Sequence, residues 1–173
     1  MSHTMVIYTD GSALGNPGKG GWAYLVLNKK EKTVIEGGSH GGHTTNNQME
    51  LSALLNVLIY LNRLKEQNDI IIYLDSDYVR NGITSWIHNW KKNSWHTANK
   101  KSVLNKELWV QIDTEFEKAK TKHKIKLERV DGHSGIAGNE IVDQIAKAMA
   151  GETDWDLYNG PINEFEKLRE MSL

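Results

Sequence analysis

Ile70-Ile71-Ile72-Tyr73-Leu74 limits this chain more than any other stretch. A strand with one wet face alternates apolar and polar residues, whereas an unbroken β-branched run suits a central strand buried on both faces. Such a strand needs a sheet around it and helices over it, and the flanking segments supply both. Val6-Ile7-Tyr8-Thr9-Asp10 and Trp22–Leu27 read as strands. Gly11-Ser12 ends the first, and Gly15-Asn16-Pro17-Gly18-Lys19-Gly20-Gly21 is turn chemistry. Lys32–Glu36 is a third, weaker strand, and Thr44-Thr45-Asn46 offers caps for a helix from Met49 to Leu61. Val103–Lys120 predicts an amphipathic helix, Lys124–Val130 an alternating strand and Gly138–Ala150 a last helix. Three antiparallel strands followed by alternating helix and strand predict an α/β fold, a five-stranded mixed sheet with helices packed on it.

One domain is expected from 173 residues, with the body in 1–150 and a tail in 151–173. Ile162, Phe165 and Leu168 recur at helical spacing in the tail and predict a short docked helix, with a peptide-mediated partner contact as the alternative. The chain has no Cys, which excludes disulfide scaffolds, thiolate nucleophiles, Cys-ligated zinc and iron–sulfur clusters. No apolar run approaches the roughly 18 residues that span a bilayer, and Met1–Met5 lacks a signal-peptide core. A cytoplasmic monomer without a membrane partner is therefore expected.

The net charge of −1 conceals an uneven distribution. Arg80 to Lys106 contains no acid and carries +6 through Arg80, Lys91, Lys92, Lys100, Lys101 and Lys106, which leaves −7 for the rest of the chain. The same stretch holds Trp86, Trp90 and Trp95, three of the six tryptophans. Basic residues interleaved with flat aromatics suit a phosphate-contacting surface; the alternative is a solvated helical face with core tryptophans.

Four carboxylates stand where surface charges do not belong. Asp10 ends an apolar strand and points to the side of Val6 and Tyr8. Glu50 opens the helical stripe of Ala53, Leu54, Val57 and Leu61. Asp75 follows the Ile70–Leu74 run, at the strand end where α/β sheets place their sites, and Asp143 lies beside Ile145, Ala146 and Met149. One buried carboxylate is ordinarily capped or paired, but four at the ends of core elements call for a shared cation. Hard divalent ions take oxygen ligands, and a two-metal site is the standard solution for in-line phosphodiester cleavage. His133, in the loop Asp131-Gly132-His133-Ser134-Gly135, has a titration range suited to proton transfer at neutral pH, or is simply an exposed loop histidine.

These motifs resemble ribonuclease H of type 1, the bacterial catalytic domain. The matching pieces are Thr9-Asp10-Gly11-Ser12 with Gly15-Asn16-Pro17-Gly18, Thr44-Thr45-Asn46-Asn47-Gln48-Met49-Glu50-Leu51, and Asp75-Ser76-Asp77-Tyr78-Val79. Asn81-Gly82-Ile83-Thr84 through Trp86, Trp90-Lys91-Lys92 and Trp95 follows, then Gly132-His133-Ser134-Gly135 and Asn139-Glu140 before Asp143. The resemblance implies a ribonuclease H-like fold with a basic helix-loop handle at about 80–106. It also implies an endonuclease that cuts the RNA strand of an RNA–DNA hybrid, leaving 5′-phosphate and 3′-hydroxyl ends. Asp10, Glu50, Asp75 and Asp143 would hold two Mg²⁺ ions, with Mn²⁺ as a substitute, and His133 would shuttle a proton or assist product release. Asp10 would bridge the ions, Asp143 would serve the one that activates water, and Glu50 and Asp75 the one at the leaving oxygen. Gly11, Asn16, Asn47 and Gln48 would read the minor groove, where 2′-hydroxyls mark RNA. Trp86, Asn89, Trp90, Lys91, Lys92, Trp95, Lys100, Lys101 and Asn105, in the handle, would grip the DNA strand, and Ser76 would also bind the substrate. A separate hybrid-binding domain is not expected.

Gln48, Asp77 and Asp131 depart from the family pattern, each making the groove less positive. Substrate binding is therefore expected to lean on the handle and on Mg²⁺. A non-catalytic binding module on the same fold would not need all four carboxylates. A transposase-like or junction-resolving nuclease would not be expected to keep both the Trp-rich handle and the Gly-His-Ser-Gly loop.

Overall fold

The computed structural model describes residues 3–130 and 137–167. Its strands are β1 (Met5–Leu14), β2 (Gly18–Asn28), β3 (Thr33–Thr44), β4 (Asp69–Leu74), β5 (Lys124–Arg129) and β6 (Asn159–Pro161). Its α-helices are α1 (Asn46–Arg63), α2 (Asp77–Asn81), α3 (Ile87–Lys92), α4 (Lys106–Lys122) and α5 (Ala137–Ala150), with a π-helical turn, Gly82–Trp86, between α2 and α3. The strands form one mixed sheet in the order β5-β4-β1-β2-β3-β6. β4 lies between parallel partners β1 and β5, the central position its unbroken apolar run predicts.

Two differences from expectation have physical causes. β1 and β2 run through the Gly11-Ser12 and Gly18–Gly21 segments that read as turns, pairing from Met5↔Asn28 to Leu14↔Lys19. The glycines there serve close approach rather than reversal: a Cβ on Gly21 would lie 2.4 Å from the Ala146 carbonyl oxygen and from the Ala150 nitrogen, so its absence lets α5 lie directly on β2. The sheet also has six strands rather than five. The sixth comes from the tail, where Asn159-Gly160-Pro161 pairs antiparallel with Ile35-Val34-Thr33 and leads into a 3₁₀ turn, Ile162–Glu164.

Anchoring holds the tail where strand propensity does not. Glu36, 4% exposed, accepts from Lys167 Nζ at 2.9 and 3.0 Å, from the Tyr158 backbone N–H at 2.9 Å and from the Trp155 indole at 3.4 Å. The Lys167 ammonium also stands 4.3 Å from the centre of the Trp155 ring, a cation–π distance.

The sheet buries both faces. Met5, Ile7, Ile70 and Ile72 pack with Leu51, Leu54, Leu58 and Leu61 of α1 and with Trp109 and Ile112 of α4. Ala23, Leu25 and Val34 pack with Ile141, Val142, Ile145 and Ala146 of α5 and with Phe165 of the tail. No helix among the described residues is long and apolar enough to cross a membrane.

Candidate active site and nucleic-acid handle

The parallel register sets Thr9 of β1 opposite Leu74 of β4, so Asp10 and Asp75 follow side by side at one end of the sheet. The start of α1 is pressed onto the same end. A Cβ on Gly11 would lie 2.2 Å from the Glu50 nitrogen, so only glycine lets the first turn of α1 approach and bring Glu50 beside Asp10. Thr45 fixes where that helix begins, its hydroxyl accepting from the Gln48 N–H at 3.2 Å. Across the sheet, α5 carries Asp143, half-buried, on the turn that also holds Val142 and Ala146.

Burial pushes the Asp10 carboxyl up to about 6, and the nearby charges of Asp143 and Asp75 add to the effect. A hydrogen bond with Glu50 and the Gly11 N–H, which donates to Asp10 Oδ1 at 2.8 Å, pull the other way. Glu50 is held well above the usual carboxylate range, by desolvation first and then by the charges of Asp10 and Asp75 and its hydrogen bond to Asp10. Burial and like charge therefore push both carboxyls toward the neutral form in one poorly solvated corner.

Among the described residues, no three acidic or histidine side chains converge as ligands of a single ion. The donor set nevertheless fits a hard divalent cation. It is all carboxylate oxygen, drawn from β1, α1, α5 and the end of β4, and its mutual repulsion is the kind a cation relieves. Part of that relief comes from Lys147, whose Nζ donates to Asp143 Oδ2 at 2.7 Å. Nothing in the sequence reasoning singled out Lys147, though its spacing of one helical turn from Asp143 is a legible signal. His133 and Asp131 lie outside the described residues, as does Leu168 of the tail.

Of the expected groove residues, Asn16 and Gln48 are held by two side-chain networks. Asn16 Oδ1 accepts from the Asn46 N–H at 3.2 Å, and Asn46 Oδ1 from the Ala13 N–H at 2.7 Å, which joins the β1–β2 turn to α1. Gln48 Nε2 donates to Asn105 Oδ1 at 3.2 Å, and Asn105 Nδ2 to the Tyr78 hydroxyl at 3.1 Å. The buried Trp109 indole donates to the same hydroxyl at 3.0 Å, so Tyr78, which sequence reasoning passed over, is a hub between α1, α2 and α4. Ser76 caps α2 through the Val79 N–H, and Asn47 is exposed.

The handle divides into core and surface. Trp90 packs against Trp86, Trp95 and Trp109, with ring centres 5.9, 6.4 and 5.3 Å apart, and pins α3 to α4. Trp86 is 40% exposed and offers a face to a ligand. Lys91 pairs with Asp113 at 3.1 Å, while Asn89, Lys92, Lys100 and Lys101 are exposed. The π turn, a feature frequent at functional sites, ends on Trp86 and leads directly into α3.

The ribonuclease H family profile matches residues 2–151. The ribonuclease H of Enterobacter sp. (strain 638) is 46% identical over 150 residues, covering 87% of this chain and 91% of the relative. That of Escherichia coli (strain K12 / DH10B) is 49% identical over 145 residues, covering 83% and 87%. Among solved structures, LC9-RNase H1, described as a type 1 RNase H with the type 2 active-site motif, superposes with a TM-score of 0.78 at 24% identity, covering 96% of this chain and 82% of that one. A foamy viral protease–reverse transcriptase in complex with RNA/DNA hybrid gives a TM-score of 0.73 at 20% identity, covering 87% of this chain and 20% of that one. At these identities the structures establish the fold.

Proposed function

Because the chain belongs to the ribonuclease H family, we propose that it is an endonuclease that hydrolyses the RNA strand of RNA–DNA hybrids, leaving 5′-phosphate and 3′-hydroxyl ends. The observation that carries this reading is the convergence on one end of the sheet of four acids, Asp10, Glu50, Asp75 and Asp143, whose charges act on one another. They would hold two Mg²⁺ ions or their Mn²⁺ substitutes. When bound, such ions lower the pKa of a water and stabilise the leaving oxygen.

The chain's own part is placement. The β1–β4 register fixes Asp10 and Asp75, the Gly11 contact brings in Glu50, and α5 presents Asp143 from the other face. His133 would carry a proton to or from the reacting phosphate. Gly11, Asn16, Asn47 and Gln48 line the start of α1 and the adjoining turn, where they can address 2′-hydroxyls. The lysines and Trp86 of the handle, with Asn105, take the partner strand through its phosphates and exposed bases.

Labelled RNA–DNA hybrid, double-stranded RNA and double-stranded DNA, each incubated with Mg²⁺ or EDTA, test the proposal. Cleavage of the RNA strand of the hybrid alone, abolished by EDTA, is expected. Cleavage that survives EDTA, or that spares the hybrid, overturns it.

A further inference from the structure

We propose that Lys147 is a displaceable counter-ion of the carboxylate site, holding Asp143 when no divalent cation does and thereby setting how readily one binds. The inference rests on the metal-dependent reading above. Asp143 and Lys147 lie one turn apart on α5, with the acid nearer the N-terminus, the favourable order for an i,i+4 pair. The Nζ–Oδ2 distance is 2.7 Å.

An ordinary surface pair would end there, but two features separate this one. Asp143 is no isolated surface acid, since its charge acts on buried Asp10 across the site. The Lys147 ammonium in turn feels both Asp143 and Asp10, so it neutralises the cluster rather than a single partner. The lysine side chain is also 56% exposed against 33% for the aspartate, so one end of the pair sits in the site and the other in water. Exposed pairs of this kind are weak, and four rotatable carbons let the ammonium swing into solvent. A divalent ion and the ammonium compete for one carboxylate. The lysine therefore quiets the repulsion of the metal-free acids and weakens the affinity those acids would otherwise have.

Mn²⁺ alone, titrated calorimetrically into the full chain at low salt, measures the competition without any turnover. Lys147→Met is expected to tighten Mn²⁺ binding by roughly three- to tenfold, the scale of removing one charge at a few ångströms in a partly solvated site. Lys147→Arg, which keeps the charge and the reach, is expected to bind like wild type. So is Lys65→Met, which removes an exposed lysine just after α1. Unchanged or weaker binding by Lys147→Met, with wild type still binding, overturns the proposal alone. Equal tightening by Lys65→Met also overturns it, because net charge then explains the effect. Wild type that takes up no Mn²⁺ overturns the metal-dependent reading, and the counter-ion with it.

Discussion

Asp10 illustrates the cost of gathering buried acids at one end of a sheet. It is 6% exposed, and its carboxyl is pushed up to about 6 by desolvation first, then by neighbouring charge. A carboxyl whose folded pKa exceeds its unfolded one favours folding at low pH, and that advantage is lost as pH rises from about 4 to about 6. Above that window the ionised group opposes folding by on the order of 2 kcal/mol. Asp10→Asn keeps an oxygen to accept from Gly11 and Glu50 while removing the charge. In EDTA at pH 7 it is expected to raise Tm by roughly 5 °C, with the gain vanishing by about pH 4. In Mg²⁺ it is expected to abolish hybrid cleavage. Thermal melts across pH, paired with the cleavage assay, check both halves. The acids stood out in the sequence because each lies at the end of, or beside, an apolar pattern. Lys147 did not, because a lysine on a helix surface looks the same whether its partner is a stray acid or part of a site.

At the scale of elements, period and β-branching marked out β4, α1, α4 and α5, and the structure agrees on each. What local pattern hid was any contact made across the fold. Gly11 and Gly21 read as turn residues, yet they lie in paired strands because helices press on them. The tail shows the same limit. Ile162 and Phe165 have helical spacing, and a 3₁₀ turn spans Ile162–Glu164, but the strand before it and the anchor at Glu36, 122 residues before Tyr158 in one bond and 131 before Lys167 in another, carry no local signal. Glu36→Gln keeps the shape and leaves the Lys167 ammonium without its counter-charge. A loss of about 1–3 kcal/mol is expected, since a partner is removed from a buried ion pair. Hydrogen exchange at Tyr158, whose N–H donates to Glu36, is expected to quicken more than exchange in β4; equal quickening in both would mean the tail is not separately anchored.

For the whole molecule, the near-neutral total is an acidic site and a basic handle placed in one small body. Mutating Lys91, Lys92, Lys100 and Lys101 together to Ala is expected to weaken hybrid binding strongly and to flatten its salt dependence by a slope of about 3. Lys91 is expected to contribute least, being engaged with Asp113. Filter binding of hybrid in Ca²⁺ at several salt concentrations reads the slope, and an unchanged slope would place the grip elsewhere. The charge distribution was legible from the sequence; which tryptophans pack as core was not, since contact surface and core tryptophans both stayed open until Trp90 and Trp95 were seen against neighbouring rings. The sheet order has one more effect, on how the protein behaves in a crowded solution. The tail covers β3 only along Thr33–Ile35, so the sheet ends on one side in the three-residue β6 and on the other in the six-residue β5. The β5 edge carries the exposed Lys124, Lys126 and Arg129, with Lys126 paired to Glu128 at 2.9 Å and Arg129 to Asp77 at 3.2 Å. The net positive charge that remains on β5 is expected to oppose two copies meeting edge to edge there, a barrier that added salt lowers.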